Sequence, residues 1–188
     1  MTLALGECSD GELAALALAG RQAAFRELLD RHRASVFRLV RGNIGDDDAS
    51  LDVTQEAFIA AFAALKSYDG TRSFKTWVSR IAINKCRDWA RRRTVRRFFS
   101  FALPIEAAAT VSDDSIPADQ QISDRAELAR VREAIARLPP AIREALILHT
   151  IEGLTQAETA EILGISEKAV ETRIYRARKA LQGDVSSV

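Results

Sequence analysis

The residues with the clearest chemical meaning in this chain are the arginines and lysines between positions 71 and 97. That stretch holds ten basic side chains and one acid, Asp88, although the net charge of all 188 residues is only +1. Each phosphate that a basic side chain neutralises releases condensed counterions, so a dense basic block predicts contact with a nucleic-acid backbone. A solvated helix end is the alternative. The block consists of Arg72, Lys75, Arg80, Lys85, Arg87, Arg91, Arg92, Arg93, Arg96 and Arg97.

A second group of candidate DNA-binding side chains lies near the end of the sequence. Thr155 and Glu158 have the spacing of a capping box, which predicts a helix over residues 156–163. A short glycine-containing turn then leads into a helix over residues 167–182, and such a helix-turn-helix places its second helix in the major groove of DNA. The outward side chains of that helix are Lys168, Glu171, Thr172, Arg173, Arg176 and Lys179.

Four helices are predicted in the first half of the chain. Apolar residues recur at the spacing of an amphipathic helix over residues 21–41, and a shorter helix is predicted over residues 12–18. The acidic run at residues 46–48 suits the positive N-terminal end of a third helix. A turn at residues 68–71 separates that helix from a fourth, over residues 73–97, which carries the basic block.

The predicted fourth helix has two faces of different character. Val78, Ala82 and Trp89 recur on one side at the spacing of a core face, and both Trp77 and Trp89 are assigned to packing. The amide of Asn84 can offer a donor and an acceptor to a base edge, with a plain surface amide as the alternative. The polar face opposite the core consists of Arg80, Asn84, Arg87 and Arg91.

Residues 98–124 differ in composition from both flanks and predict a linker. They contain five acids, two prolines and no Lys or Arg, and a loop of this length is uncommon inside a compact domain. Their apolar start, residues 98–101, is expected to be covered by its own domain or by a partner. The predicted fold class is therefore all-α, with two small helical domains, 9–97 and 125–183, joined by a flexible acidic linker.

The composition argues against several other classes of protein. Cys8 and Cys86 cannot form a disulfide framework or a cysteine-based zinc site, and His32 and His149 are solitary. No apolar run approaches the roughly 20 residues of a membrane helix, and the first residues lack the pattern of a signal peptide. Phosphate-binding glycine loops and nucleophile motifs are also missing. We expect a cytoplasmic protein that does not insert into membranes, is not an enzyme and needs no metal or cofactor.

Two sets of motifs, in this order, resemble extracytoplasmic-function sigma factors of the sigma-70 family. DVTQEAF (residues 52–58) followed by FKTWVSRIAIN (residues 74–84) resembles the second conserved domain of that family. Together with the later motifs the resemblance covers nearly everything between residues 9 and 182, which is more specific than a helix-turn-helix alone. The segments that resemble the family's fourth domain are LPP (138–140), EGLT (152–155), AEILGIS (160–166) and RIYRAR (173–178).

The resemblance implies an initiation subunit that brings bacterial RNA polymerase core to promoters and helps to open the DNA. It implies that Asp52, Gln55 and Glu56 dock on the clamp of the largest polymerase subunit, and that the flap of the second subunit is a further contact. Unpaired bases of the minus-ten element need stacking surfaces, polar edges and phosphate clamps. The resemblance assigns these roles to Tyr68, Arg72, Phe74, Lys75, Arg80, Asn84, Arg87 and Arg91. The outward side chains of the last helix would read the minus-thirty-five element.

The sequence departs from the family pattern at two positions. Leu51 stands where an acid is common, and Glu171 stands where relatives often have a basic residue. Glu171 can accept a hydrogen bond from cytosine N4 or pair with an arginine. Members of the family are commonly held inactive by an anti-sigma factor that covers both domains, and a flexible linker would allow that closed arrangement.

Two rival functions remain open at this stage. One is a stand-alone helix-turn-helix regulator whose first domain senses a ligand or dimerises, which would bind duplex promoter DNA by itself. The other is a protein-interaction module that sequesters another factor, which would require neither the arginine run at residues 91–93 nor the capped second helix. A sigma factor of this type is expected to need the polymerase core before it binds a promoter.

Overall fold

The computed structural model describes residues 4–102 and 119–185, and over these residues it contains helices and no strand. This confirms the all-α prediction. A five-residue π-helical segment, Ile147–Ile151, follows the sixth α-helix directly. The α-helices of the described residues are α1 (Asp10–Leu18), α2 (Gln22–Ile44), α3 (Asp47–Ala63), α4 (Phe74–Ala102), α5 (Asp119–Arg137), α6 (Pro140–Leu146), α7 (Gln156–Leu163) and α8 (Glu167–Val185).

The N-terminal group of helices, α1 to α4, begins and ends at residues whose chemistry favours those boundaries. The side chain of Ser9 accepts a hydrogen bond from the amide of Glu12, whose carboxylate accepts one from Ser9 in return, so a capping box starts α1. Gly45 ends α2 with a φ of +76°, and Asp46 caps α3 by accepting from the amide of Ala49.

The C-terminal group, α5 to α8, contains the predicted helix-turn-helix. The capping box of Thr155 and Glu158 starts α7, and Gly164 ends it with a φ of +67°. A tight turn then leads to α8, which buries Val170 and Ala177 against the rest of the group. The α7–α8 pair therefore has the helix–turn–helix form that a recognition unit requires.

The helices extend into the segment predicted as a linker from both sides. Helix α4 continues to Ala102 and α5 starts at Asp119, while the remainder of the segment lies outside the described residues. The exposed fractions of Phe98 and Phe99 are 81% and 66%, so these two side chains are not covered by their own domain. The division into domains at 97 and 125 stays a prediction.

The two groups of helices pack against each other, and we call this the closed arrangement. Buried residues of α2 and α4 belong to the same core cluster as Ile147 and Leu148. Gly42 of α2 lets the groups approach closely, because a Cβ atom at that position would lie 2.9 Å from Cδ1 of Ile147. Within the described ranges, the helices are all too short or too polar to span a membrane.

Candidate nucleic-acid interface

The polar face of α4 is partly open to solvent in the closed arrangement. Arg80, Asn84 and Arg91 are exposed, and Arg91 forms an ion pair with Asp88 one turn earlier on the same helix. The core face behaves as its spacing indicates, since Val78 and Ala82 are fully buried. The amide of Asn84 is therefore accessible to a base while its helix is held by packing on the opposite side.

Three other predicted minus-ten residues contact acids of the C-terminal group. Arg87 donates two hydrogen bonds to Glu144, at 2.9 and 2.7 Å, and these bonds raise the pKa of the guanidinium. Arg72 donates to Glu161 at 2.7 Å. Lys75 donates to the backbone carbonyl of residue 152 at 2.6 Å. In the closed arrangement, residues of the C-terminal group therefore bind cations that the family resemblance assigns to promoter DNA.

The carboxylate of Glu152 is the most enclosed of these acids, because its side chain has no exposed surface. It accepts a hydrogen bond from Ser35 Oγ at 2.5 Å and bonds from Arg38 at 3.2 and 3.4 Å. Lys75 Nζ lies 3.8 Å from one of its oxygens. A buried carboxylate requires such partners, since an unpaired charge at this depth would be strongly destabilising.

Sequence reasoning missed several of the residues that join the two groups, among them Ser35, Arg38, Glu144 and Glu152. One signal could have indicated the acids. Glu144 lies among apolar residues of a short helix and is only 6% exposed, and Glu152 lies next to a π-helical segment and is 5% exposed. An acid at a position with the spacing of a core face predicts a cationic partner elsewhere in the structure.

The structure places Phe74 in the core, at odds with the predicted contact between its ring and a base. The ring is 1% exposed and contacts His32, Tyr68 and Trp77, with ring centroids 5.0 to 5.4 Å apart. Tyr68 is half-buried, and its hydroxyl donates to the carbonyl of Arg72 at 2.6 Å. Phe74 therefore supports the loop that precedes α4, and its ring has no free face on which a base could stack.

The outer face of α8 is exposed as the helix-turn-helix pattern predicts. Lys168, Glu171, Thr172, Arg176 and Lys179 are exposed, and Arg173 is half-buried. Lys168 donates to Glu171 at 2.7 Å, so the acid that departs from the family pattern pairs with a neighbouring lysine. The sequence reasoning assigned no role to the exposed aromatic side chain on this helix, Tyr175, which has an exposed fraction of 66%.

The residues assigned to polymerase docking lie on α3, away from the contact between the two groups. Asp52 and Gln55 are exposed, whereas Glu56 is half-buried and lies 3.2 Å from Arg92 and 3.9 Å from Lys85 of α4. Because Asp52 and Gln55 are accessible in the closed arrangement, a partner can reach this part of α3 before the groups separate.

The two cysteines differ in their chemical environment. Cys86 is 6% exposed, and burial, followed by the nearby charge of Glu144, raises the pKa of its thiol to about 12. A thiol reacts as its thiolate, so Cys86 is unreactive near neutral pH. Cys8 is half-buried near the start of the chain.

We expect a thiol reagent such as Ellman's reagent to modify Cys8 of the native protein and to reach Cys86 only when the protein unfolds. The amount of thiolate that the reagent releases, in buffer and in denaturant, gives the number of cysteines modified in each state. A Cys8→Ser variant is the control and should show almost no reaction until denaturant is added. Rapid reaction of native Cys8→Ser would contradict the burial of Cys86.

The comparisons with known proteins agree with this architecture. Two family models match, described as Sigma-70 region 2 over residues 28–96 and Sigma-70, region 4 over residues 128–181. RNA polymerase sigma factor CnrH of Cupriavidus metallidurans is 41% identical over 179 residues, which cover 93% of each chain. ECF RNA polymerase sigma factor SigW of Bacillus subtilis is 33% identical and covers 87% of this chain and 89% of its own.

Solved structures give the same result. A structure of CnrH in complex with the cytosolic domain of CnrY matches 96% of this chain and 99% of the CnrH chain, with a TM-score of 0.71 and 33% identity. The sigma factor RpoE of Bartonella quintana, solved with the anti-sigma factor NepR, shares the fold at 23% identity and a TM-score of 0.68. The chain therefore belongs to the sigma-70 family of RNA polymerase sigma factors. Within that family it is an extracytoplasmic-function sigma factor.

Proposed function

We propose that this chain is an alternative sigma factor that loads onto RNA polymerase core, directs it to specific promoters and promotes DNA opening. The single observation that carries the proposal is the combination of a basic, partly exposed α4 with a capped helix-turn-helix in one chain that matches sigma factors along almost its whole length. The family's activity is the initiation of transcription, so we propose no bond chemistry for this chain. We place it in the cytoplasm, where its polymerase and promoters are.

The two DNA-binding surfaces have different tasks in this proposal. The face of α4 around Asn84 captures the minus-ten element, while Arg173 and Arg176 of α8 contact the minus-thirty-five element. Asp52 and Gln55, with Glu56, dock on the clamp of the largest polymerase subunit. Most of the side chains that we assign to DNA contact are exposed, and Arg72 and Arg87 form ion pairs that DNA phosphates can replace.

We also propose control by an anti-sigma factor. The solved relative RpoE was captured with the anti-sigma factor NepR, and CnrH was captured with the cytosolic domain of CnrY. A partner that holds the closed arrangement would keep Arg72, Lys75 and Arg87 in contact with acids of the C-terminal group. Promoter binding would then be blocked at the minus-ten surface while the partner stays bound.

Run-off transcription with purified bacterial core polymerase tests the proposed function. We expect promoter-dependent transcripts from a promoter library only when this chain is added, at a stated salt concentration because binding to DNA depends on salt. Silence of an active core on a broad library, together with tight duplex binding by the chain alone, would instead indicate a stand-alone helix-turn-helix regulator.

Substitutions should separate the two tasks of the proposed factor. Arg173→Ala or Arg176→Ala is expected to lower affinity for the upstream promoter element by about tenfold, since each lost base or phosphate contact costs roughly 1–3 kcal/mol, and to leave core binding unchanged. The double variant Asp52→Ala, Gln55→Ala should weaken core binding and leave affinity for the upstream promoter element unchanged. Core pull-down and promoter-binding assays measure the two effects. Loss of core affinity in the arginine variants would show that those side chains serve packing.

A further inference from the structure

Three donor groups on two helices of the N-terminal group surround one carboxylate of the C-terminal group. Ser35 and Arg38 lie one turn apart on α2, and Lys75 lies in the first turn of α4. Ser35 Oγ and the Arg38 guanidinium bond to the carboxylate of Glu152, and Lys75 Nζ lies 3.8 Å from it. We call these three side chains the anion cradle.

The anion cradle belongs entirely to the N-terminal group, whereas its occupant comes from the other group. When Glu152 withdraws, two positive charges and a hydroxyl remain at one place without their anion. The side chains of Arg38 and Lys75 are 55% and 33% exposed even in the closed arrangement, so the emptied cradle faces solvent. A guanidinium fork, an ammonium and a hydroxyl converging on one point suit the two non-bridging oxygens of a phosphate.

The cradle also lies beside the surface that we assign to the minus-ten element. Lys75 is part of that surface and is three residues from Arg72, which in the closed arrangement pairs with another acid, Glu161. The exposed Arg80 and Asn84 follow on the same helix. A DNA strand that extends past the N-terminal end of α4, where Arg72 and Lys75 lie, carries a phosphate on every nucleotide and can therefore bring one to the cradle.

We propose that the anion cradle of Ser35, Arg38 and Lys75 binds a backbone phosphate of promoter DNA, and that Glu152 occupies the phosphate position in the closed arrangement. This inference rests on the proposed function. It adds Ser35 and Arg38, on a helix that carried no assigned DNA contact, to the promoter-binding residues. It also makes closure and promoter binding mutually exclusive at one site, because a carboxylate and a phosphate cannot share the same donors.

Promoter binding by reconstituted polymerase, with wild-type chain or Arg38→Gln, tests the proposal across a series of salt concentrations. We expect Arg38→Gln to weaken promoter binding about tenfold and to lower the magnitude of the slope of log K against log salt by about one, the value for one lost phosphate contact. Removing Arg38 also removes a contact of the closed arrangement. Loosened closure would strengthen DNA binding, so it cannot cause the expected loss.

Arg26→Gln is the matched control. Arg26 is an exposed arginine on the same helix, α2, twelve residues before Arg38, so the substitution removes the same charge outside the cradle. We expect Arg26→Gln to keep the wild-type affinity and salt slope. If the two variants bind equally, or if Arg38→Gln weakens binding without a change in slope, the cradle does not bind a phosphate.

Neutral backbone linkages distinguish a DNA phosphate from free phosphate, which offers the same chemistry. Promoters that carry one methylphosphonate at a time should reveal a position that weakens wild-type binding and has no further effect on Arg38→Gln. If millimolar inorganic phosphate competes with binding and no single linkage matters, the cradle binds free phosphate and the proposal is wrong. Absence of any transcript with the wild-type chain would instead overturn the proposed function itself.

Discussion

Replacing Glu144 and Glu152 together with glutamine is expected to separate the two groups of helices. Both side chains are buried, and each accepts at least two hydrogen bonds from cations or hydroxyls of the other group. Glutamine keeps the shape of the side chain and removes its charge. A hydrogen bond to a charged group contributes about 1.5–3 kcal/mol, so losing two such contacts should shift the closed–open equilibrium at least about 100-fold towards open.

Energy transfer between two dyes measures this opening. The exposed positions Ala23 and Ala180 accept engineered cysteines on α2 and α8, in a Cys8→Ser background, while buried Cys86 can stay because its thiol is unreactive. We expect high transfer in the parent protein and low transfer in the double glutamine variant. Added salt should also lower transfer in the parent, because ion pairs hold the groups together.

Two further variants show whether the fall in energy transfer comes from the loss of charge as such or from the loss of the closed arrangement. Glu27→Gln with Glu133→Gln removes the same two charges from ion pairs within single helices, and transfer should stay high. Gly42→Leu changes no charge but places a side chain against Ile147, so transfer should fall as in the double glutamine variant. If the double glutamine variant, the control and Gly42→Leu all gave the same energy transfer, these contacts would not hold the closed arrangement.

The second large effect is expected from Phe74→Ala, which should destabilise the N-terminal group by about 3–5 kcal/mol, the usual cost of truncating a buried aromatic ring. Phe74 is among the largest fully buried side chains and contacts three other rings. Native domains are stable by only about 5–15 kcal/mol, so this loss is a large fraction of the total. Urea unfolding followed by circular dichroism measures it.

Phe98→Ala removes the same ring from a position that is 81% exposed and serves as the control. The free energy of unfolding of the Phe98→Ala variant should stay within about 0.5 kcal/mol of the parent value, as is usual for surface substitutions. The comparison also decides between the two roles considered for Phe74. If Phe74→Ala lost promoter binding while its urea midpoint stayed unchanged, the ring would contact DNA, as the sequence analysis predicted, rather than support the loop.

Local features of the fold were predictable from the sequence because they depend on neighbouring residues. Short-range hydrogen bonds start two helices, in the capping boxes at Ser9 and Thr155. A left-handed backbone conformation ends two helices, at Gly45 and Gly164. The extension of α4 to Ala102 was missed, since nothing in residues 98–102 breaks a helix and the change in composition there suggested a boundary.

Contacts between distant parts of the chain were not predictable in the same way. Glu152 lies 114 residues from Arg38 in sequence, and no local pattern connects them. Phe74 illustrates the same limit. Its sequence motif indicated DNA contact, but the burial of its ring depends on how α2 and the loop before α4 pack against it. Helical spacing identifies which residues share a face, whereas the partner of that face depends on tertiary packing.

The separate locations of the α3 surface and the anion cradle have a consequence for how the factor finds its target in a cell. The proposed docking residues Asp52 and Gln55 are accessible while the cradle is occupied by Glu152, so on this proposal the unassembled factor can meet polymerase without first giving up its internal contacts. A chromosome offers an enormous excess of non-specific phosphate, which would retain any factor with an open basic surface. Because Arg72, Lys75 and Arg87 bind partners inside the closed factor, it presents fewer free cations to non-specific DNA, and we expect its distribution to follow the supply of polymerase more than the mass of DNA.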